Sequence, residues 1–286
     1  MLDKKSKVIL VVILIVILMV TFGSHFFNFW QAGDLWQYTG SRINRGGDLF
    51  GYFSFMEQAR QGAWSFFNLY SILPQQPYFV HPLWLVLGKL GAWTGFSNLA
   101  IYLLAQALFI VIFVYLWRVF LGKILTSKIV NYVFVLSLVI GGGLFSGAWF
   151  YEASNFLILF YSPLFILALS CFLAVLWLAL KLIEKKFDWR ISLGAGSLSL
   201  FLFLNHFYDV VPLVLVLAGL FIFLILNKRE LKSYFFFFLI IGMFLLPGAI
   251  YYGWIFFTIP GLAEWGSFLQ YMRSEPFIFY FVAYGL

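Results

Sequence analysis

From Val8 to Val20 no polar residue interrupts the chain, and the run continues, mostly apolar, as far as Trp30. Lys4, Lys5 and Lys7 precede it and no small-x-small cleavage site follows, so the pattern predicts a retained signal-anchor, the first transmembrane helix. Further apolar stretches at 98–120, 129–149, 156–180, 191–207, 210–226 and 234–257 are long enough to cross a hydrocarbon core of about 30 Å. An eighth begins near Phe277 and reaches Leu286 after about ten residues, too few to span, which leads us to expect chain beyond Leu286. The pattern therefore predicts an all-α fold, a polytopic transmembrane helical bundle of about 7–8 spans forming a single transmembrane domain over 1–286.

Between the first and second spans the pattern changes. The segment 31–95 is a long external loop with two helical stretches of its own. In the first, Leu49, Tyr52, Phe53 and Met56 recur at helical spacing, which predicts an amphipathic helix over 48–62 lying at the membrane surface, with Asp48 as N-cap and Gly62 ending it. After the turn-rich residues 73–77, His81-Pro82 opens a second helix running to Trp93, with proline at the first helical position where its missing N–H costs nothing. A stretch of that length reaches only about 20 Å, so it is interfacial or re-entrant.

Charge placement orients the bundle. With the N-terminus in the cytoplasm, the inner segments 1–7, 118–128, 181–190 and 227–232 hold 13 of the 18 Lys and Arg, among them Arg118, Lys123, Lys181 and Arg190. This is the bias that cytoplasmic loops carry. Seven of the 11 acids, and His25, His81 and His206, fall on the other side, where groups able to do chemistry gather. Composition agrees: 64% of the residues are apolar and 10% charged, too little polar surface for a water-covered globule. The net charge of +7 is a topology signal; no basic stripe interleaved with exposed aromatics points to nucleic acid. A lone cysteine, Cys171, inside an apolar run excludes an intrachain disulfide and a Cys-x-x-Cys site.

Two more polar clusters return to the outer face. Glu152, with Ser154 and Asn155, sits in the turn between the third and fourth spans, as a solvated loop acid or as part of a pocket. Asn205-His206-Phe207-Tyr208-Asp209 joins two apolar runs of only about 25 Å each, so the turn is recessed. Ionisable groups at such depth face a wet cavity or each other. Both readings of His206 and Asp209 stand: a functional pair, or a mutually satisfied pair that stabilises the hairpin.

The order of these features, with Asp48-x-x-x-Tyr52, Gln58-Ala-x-x-Gly62, Tyr70, His81-Pro-Leu-Trp84 and Gly88, resembles the GT-C superfamily of membrane glycosyltransferases. The later Glu152–Phe156 segment with Pro163, the 205–209 turn and Ser274-Glu-Pro276 resemble a bacterial multi-pass branch placed near it. The resemblance implies transfer of a sugar from a polyprenyl-phosphate donor to an extracytoplasmic acceptor, with inversion at the anomeric carbon. It makes Asp48 the general base, with Asp34 as the competing acid, since a base must sit within hydrogen-bond reach of the hydroxyl it deprotonates. Arg42 and Arg45 are candidates to bind the leaving phosphate, if they do not serve lipid headgroups instead, and His81, Glu152, His206 and Asp209 to complete the substrate pocket. These oxygen and imidazole groups can hold Mg2+ or Mn2+, although nothing in the spacing demands a metal. The aromatics Trp64, Phe66, Phe67, Tyr70, Tyr78 and Trp84 are candidates for sugar stacking, a prenyl groove or interfacial anchoring. Two rival classes are a secondary transporter, which would show paired midspan charges and an internal repeat, and a non-enzymatic membrane scaffold. The expected partners are the bilayer and the lipid-linked donor; oligomeric state is not legible.

Overall fold

The structure is a computed structural model that describes residues 3–32, 46–69, 76–126, 129–139, 159, 162–184, 188–227 and 232–258. Every regular element among them is helical, apart from one isolated antiparallel bridge between Phe66 and Phe79. In chain order these are α1 (Lys4–Ala32), α2 (Gly46–Arg60), α3 (Pro82–Thr94), α4 (Asn98–Ile124), α5 (Val130–Val139), α6 (Pro163–Glu184), α7 (Trp189–Asn205), a 3-10 turn (Phe207–Asp209), α8 (Val210–Leu226) and α9 (Lys232–Thr258).

Five described stretches are long and apolar enough to cross a bilayer: Lys4–Ala32, Asn98–Ile124, Pro163–Ile183, Phe207–Leu226 and Lys232–Thr258. Only a helix satisfies its own backbone groups in hydrocarbon, so such runs have little choice of structure. The protein is a multi-pass helical membrane protein. α7, at 17 residues, and the 10 described residues of α5 are shorter than the five stretches. The rest of the span expected over 129–149, and the one near Phe277, lie outside the described residues.

The chain divides into two compact units, Met1–Ile166 with Pro276–Leu286, and Leu167–Glu275. In the first, α2 packs on α3, α3 on α4, and α1 on α4 and α5. A sharp reversal joins α3 to α4. Gly95 closes α3 at φ 76°, its N–H donating to the Gly91 carbonyl, and the Ser97 hydroxyl then caps α4 by accepting from Ala100 N–H. Glycine is needed at that positive φ, which costs a residue with a Cβ about 1 kcal/mol or more.

In the second unit the core gathers Cys171, Val175, Ala179, Ala195, Leu202, Leu213, Leu217, Phe237 and Ile241 from α6, α7, α8 and α9. α7 and α9 approach closely because glycines face phenylalanines. A Cβ on Gly196 would strike the Phe244 ring, and one on Gly248 the Phe203 ring. Small residues allow this approach between membrane helices, where packing rather than water drives association. Of the Phe235–Phe238 run, Phe235 and Phe236 are exposed but Phe237 is fully buried.

Candidate functional site

The long loop of the first unit builds the α2–α3 pair. Tyr52 of α2 stacks on Trp84 of α3 with ring centroids 4.4 Å apart. One turn on, the Met56 carbonyl and the Ala59 methyl fill the space where a Cβ on Gly88 would stand. At the far end the Arg60 guanidinium donates to the Phe96 carbonyl at 2.8 Å. All three contacts advance together along both helices, so α2 and α3 run parallel, offset by about 32 residues in number.

Parallel neighbours need a return connection, and the sequence provides it. Gln58 clamps the chain after α2 with a two-way amide pair, accepting from Phe67 N–H at 2.9 Å and donating to the Phe67 carbonyl at 3.1 Å. Phe66 is buried and stacks on Phe55, and its backbone bridges to Phe79, which leads straight into His81. Gly62 permits the turn with φ 111°.

The register decides where the expected site residues fall. Asp48 is one helical turn before Tyr52, on the same stripe as Tyr52, Met56 and Ala59. The same step back from Trp84 on α3 arrives at Val80–His81. The positions of Asp48 and His81 thus share one end of the pair, where both helices also begin. The His81 ring lies 5.6 Å from the Trp84 ring. α2 begins at Gly46, so Asp48 occupies its first turn instead of capping it, a place where the helix dipole favours a carboxylate. The Asp48 side chain, and Asp34, Arg42, Arg45 and Glu152 altogether, lie outside the described residues.

Several expectations for the aromatics change. Phe66 and Trp84 are fully buried within protein, so neither presents a face to a sugar ring or a prenyl chain. Of the apolar stripe expected to lie on the membrane surface, Leu49 and Met56 are covered by protein and Tyr52 and Phe53 are half-buried. Trp64 is exposed, with the Lys89 ammonium 5.1 Å from its ring centre. Glu57 is committed to structure, accepting from Asn98 at 2.9 Å and from Gln61 at 3.1 Å.

In the second unit His206 and Asp209 form the pair that the turn allowed, Nδ1 to Oδ2 at 3.0 Å. The Asp209 N–H donates to the His206 carbonyl, closing the 3-10 turn, and Asn205 donates back to Phe201. Phe207 lies 5.0 Å from the Tyr252 ring, and the Tyr252 hydroxyl donates to the Leu204 carbonyl at 3.3 Å. The turn is therefore fastened to α9 as well as to itself. Among the described residues no three His, Cys, Asp or Glu side chains gather as a metal site.

No protein-family model, curated protein or solved structure matches this chain. The site must be read from its own geometry.

One polar cluster escaped the sequence reading. Arg118, counted there only as a topology charge, is 4% exposed and donates to Ser6 and Asn131, joining α4 to α1 and α5. Its signal was available: it interrupts apolar sequence a full turn before Lys123, deeper than a loop charge needs to be.

Proposed function

We propose that the protein is a multi-pass membrane glycosyltransferase acting on a polyprenyl-phosphate-linked sugar at the extracytoplasmic face, with its N-terminus in the cytoplasm. The observation that carries this reading is the parallel register of α2 and α3, which gives Asp48 and His81 a common end backed by the Tyr52–Trp84 stack. A base works only from a fixed position, and the motif residues that suggested the superfamily contribute to that fixity: Gln58 clamps the loop, Gly88 admits α2, and Trp84 fills the interface.

In the reaction the acceptor hydroxyl oxygen attacks the anomeric carbon from the side opposite the phosphate. The carbon–oxygen bond to phosphate breaks, its electron pair leaving on the phosphate, while Asp48 takes the hydroxyl proton. Arg42 and Arg45, just ahead of α2 in sequence, are the cations for the leaving group. Arginine suits it because its planar fork binds two phosphate oxygens and stays charged. Asp34 is the reserve base. His206 and Asp209, already paired, serve to hold their own turn in shape.

The transporter reading finds less support. Among the described residues the buried charged side chain is Arg118, which lies in the last two turns of α4 and not at midspan.

The test is consumption of a radiolabelled polyprenyl-phosphate hexose or pentose by vesicles carrying the protein. Asp48→Asn is expected to lower turnover by about 10²- to 10⁴-fold with the protein still folded and inserted. Unchanged turnover in that variant would remove Asp48 from the role, and no consumption of any such donor by the native chain would end the reading.

A further inference from the structure

The end of the first unit that carries the N-terminus holds a second polar construction. There α1 begins, α4 ends and α5 begins, and Arg118 ties the three together. Its Nε donates to Asn131 Oδ1 at 3.1 Å and its Nη2 to Ser6 Oγ at 2.8 Å. The Ser6 hydroxyl also donates to Asn131 Oδ1 at 3.2 Å. Both acceptors are neutral. The nearest acid, Asp3, is occupied by the Ser6 N–H at 2.8 Å and faces Arg118 through its charge alone.

This leaves the guanidinium half used. Nη1 makes no hydrogen bond to a described residue, and it stands 3.1 Å from where a Cβ on Gly122 would be. Gly122 is exposed, so the unused edge of a nearly buried arginine lies beside a glycine at the surface. The same ends of α1 and α4 carry exposed cations: Lys4, Lys5 and Lys7 on the first turns of α1, and Lys123 next to Gly122 in sequence. Among the described residues of these helix ends, five positive groups against one carboxylate, Asp3, leave an excess of positive charge.

A buried cation with neutral partners and an unused donor edge calls for an anion. The depth tells which kind. α1 and α4 are both long enough to span the bilayer, and the cluster sits where they end, at the level of the headgroups. We propose that this corner binds the phosphate of an anionic phospholipid. Arg118 Nη1 contacts it beside Gly122, and the lysines at the start of α1 close over its oxygens. The lipid thereby fastens the start of α1 to the end of α4. The proposal is independent of glycosyl transfer.

The full-length protein is placed in nanodiscs of phosphatidylcholine alone or with phosphatidylglycerol added, and its thermal unfolding is followed. Phosphatidylglycerol is expected to raise the midpoint by about 3 to 6 °C at low salt. The double variant Lys4→Gln/Lys7→Gln, which changes only exposed side chains, should melt like the native protein in phosphatidylcholine and lose most of that rise. Gly122→Leu, which fills the space beside Nη1 and leaves the number of charges unchanged, should lose it too. Arg118→Gln breaks the helix tie itself, so it is expected to melt lower in both lipids. An equal rise in native and variant proteins would overturn the site. So would a rise of the same size from inorganic phosphate in phosphatidylcholine discs, which would assign the corner to free phosphate.

Discussion

At the scale of the residue, Arg118 shows how a membrane protein keeps a charge out of water. Removing a guanidinium from solvent costs several kcal/mol, and hydrogen bonds to charged groups recover about 1.5 to 3 kcal/mol each. Asn131 is the shared acceptor, taking from both Arg118 and Ser6. Asn131→Leu should therefore lower unfolding stability by about 1 to 3 kcal/mol, whereas Asn131→Asp, which supplies a carboxylate at the same place, should not. Denaturation in detergent distinguishes the two; equal losses would show that Arg118 does not depend on that acceptor. Asp3 gives the same corner a pH dependence. Hydrogen bonding from Ser6, side chain and then backbone, holds its carboxyl below the ordinary value of 3.8, with the Arg118 charge adding to it. A lowered folded-state value means that the stabilisation is complete above about 3.8 and disappears as pH falls through the lower value. Amide exchange in the first turn of α1 should accelerate only in that acid range, and an onset near neutrality would point to another group.

At the scale of the element, the parallel pairing of α2 and α3 depends on one missing side chain. Adding a methyl group at Gly88 would press on the Met56 backbone, which has no rotamer to escape into. Gly88→Ala should cost about 1 to 3 kcal/mol and weaken the Tyr52–Trp84 stack. Near-ultraviolet circular dichroism and melting measure both, and a neutral substitution would mean that the helices are not packed this closely. The helices themselves were legible. Apolar spacing around Leu49, Tyr52 and Met56 located α2 to within two residues, and Pro82 fixed the start of α3. Their mutual direction was not, because periodicity describes one helix at a time. What sets the direction is the excursion between them, held by the Gln58–Phe67 amide pair and the Phe66–Phe79 bridge. Nothing in residues 61–81 repeats with a period, and Phe66 reads the same in sequence whether it faces lipid or protein.

At the scale of the whole molecule, apolar run length made the membrane class plain, since chains with so little charge have no water-soluble alternative. The count of spans was less secure. Runs such as 191–207 are about as long in a packed core as in a membrane, and the structure keeps α7 at 17 residues, shorter than the five stretches that reach spanning length. The lysine-rich ends should be cytoplasmic. Cysteines introduced at Lys7 and Lys123 are expected to resist an impermeant thiol reagent in intact cells and react in inverted vesicles, and the reverse pattern would turn the molecule over.

The functional account rests most heavily on the shared end of α2 and α3, and cross-linking reaches it most directly. With Cys171→Ala as background, a cysteine pair at Asp48 and His81 should oxidise readily to a disulfide, whereas a pair at Asp48 and Thr94 should not. Cross-linking of position 48 to 94 in preference to 81 would show the helices antiparallel, remove His81 from the neighbourhood of Asp48, and contradict the site.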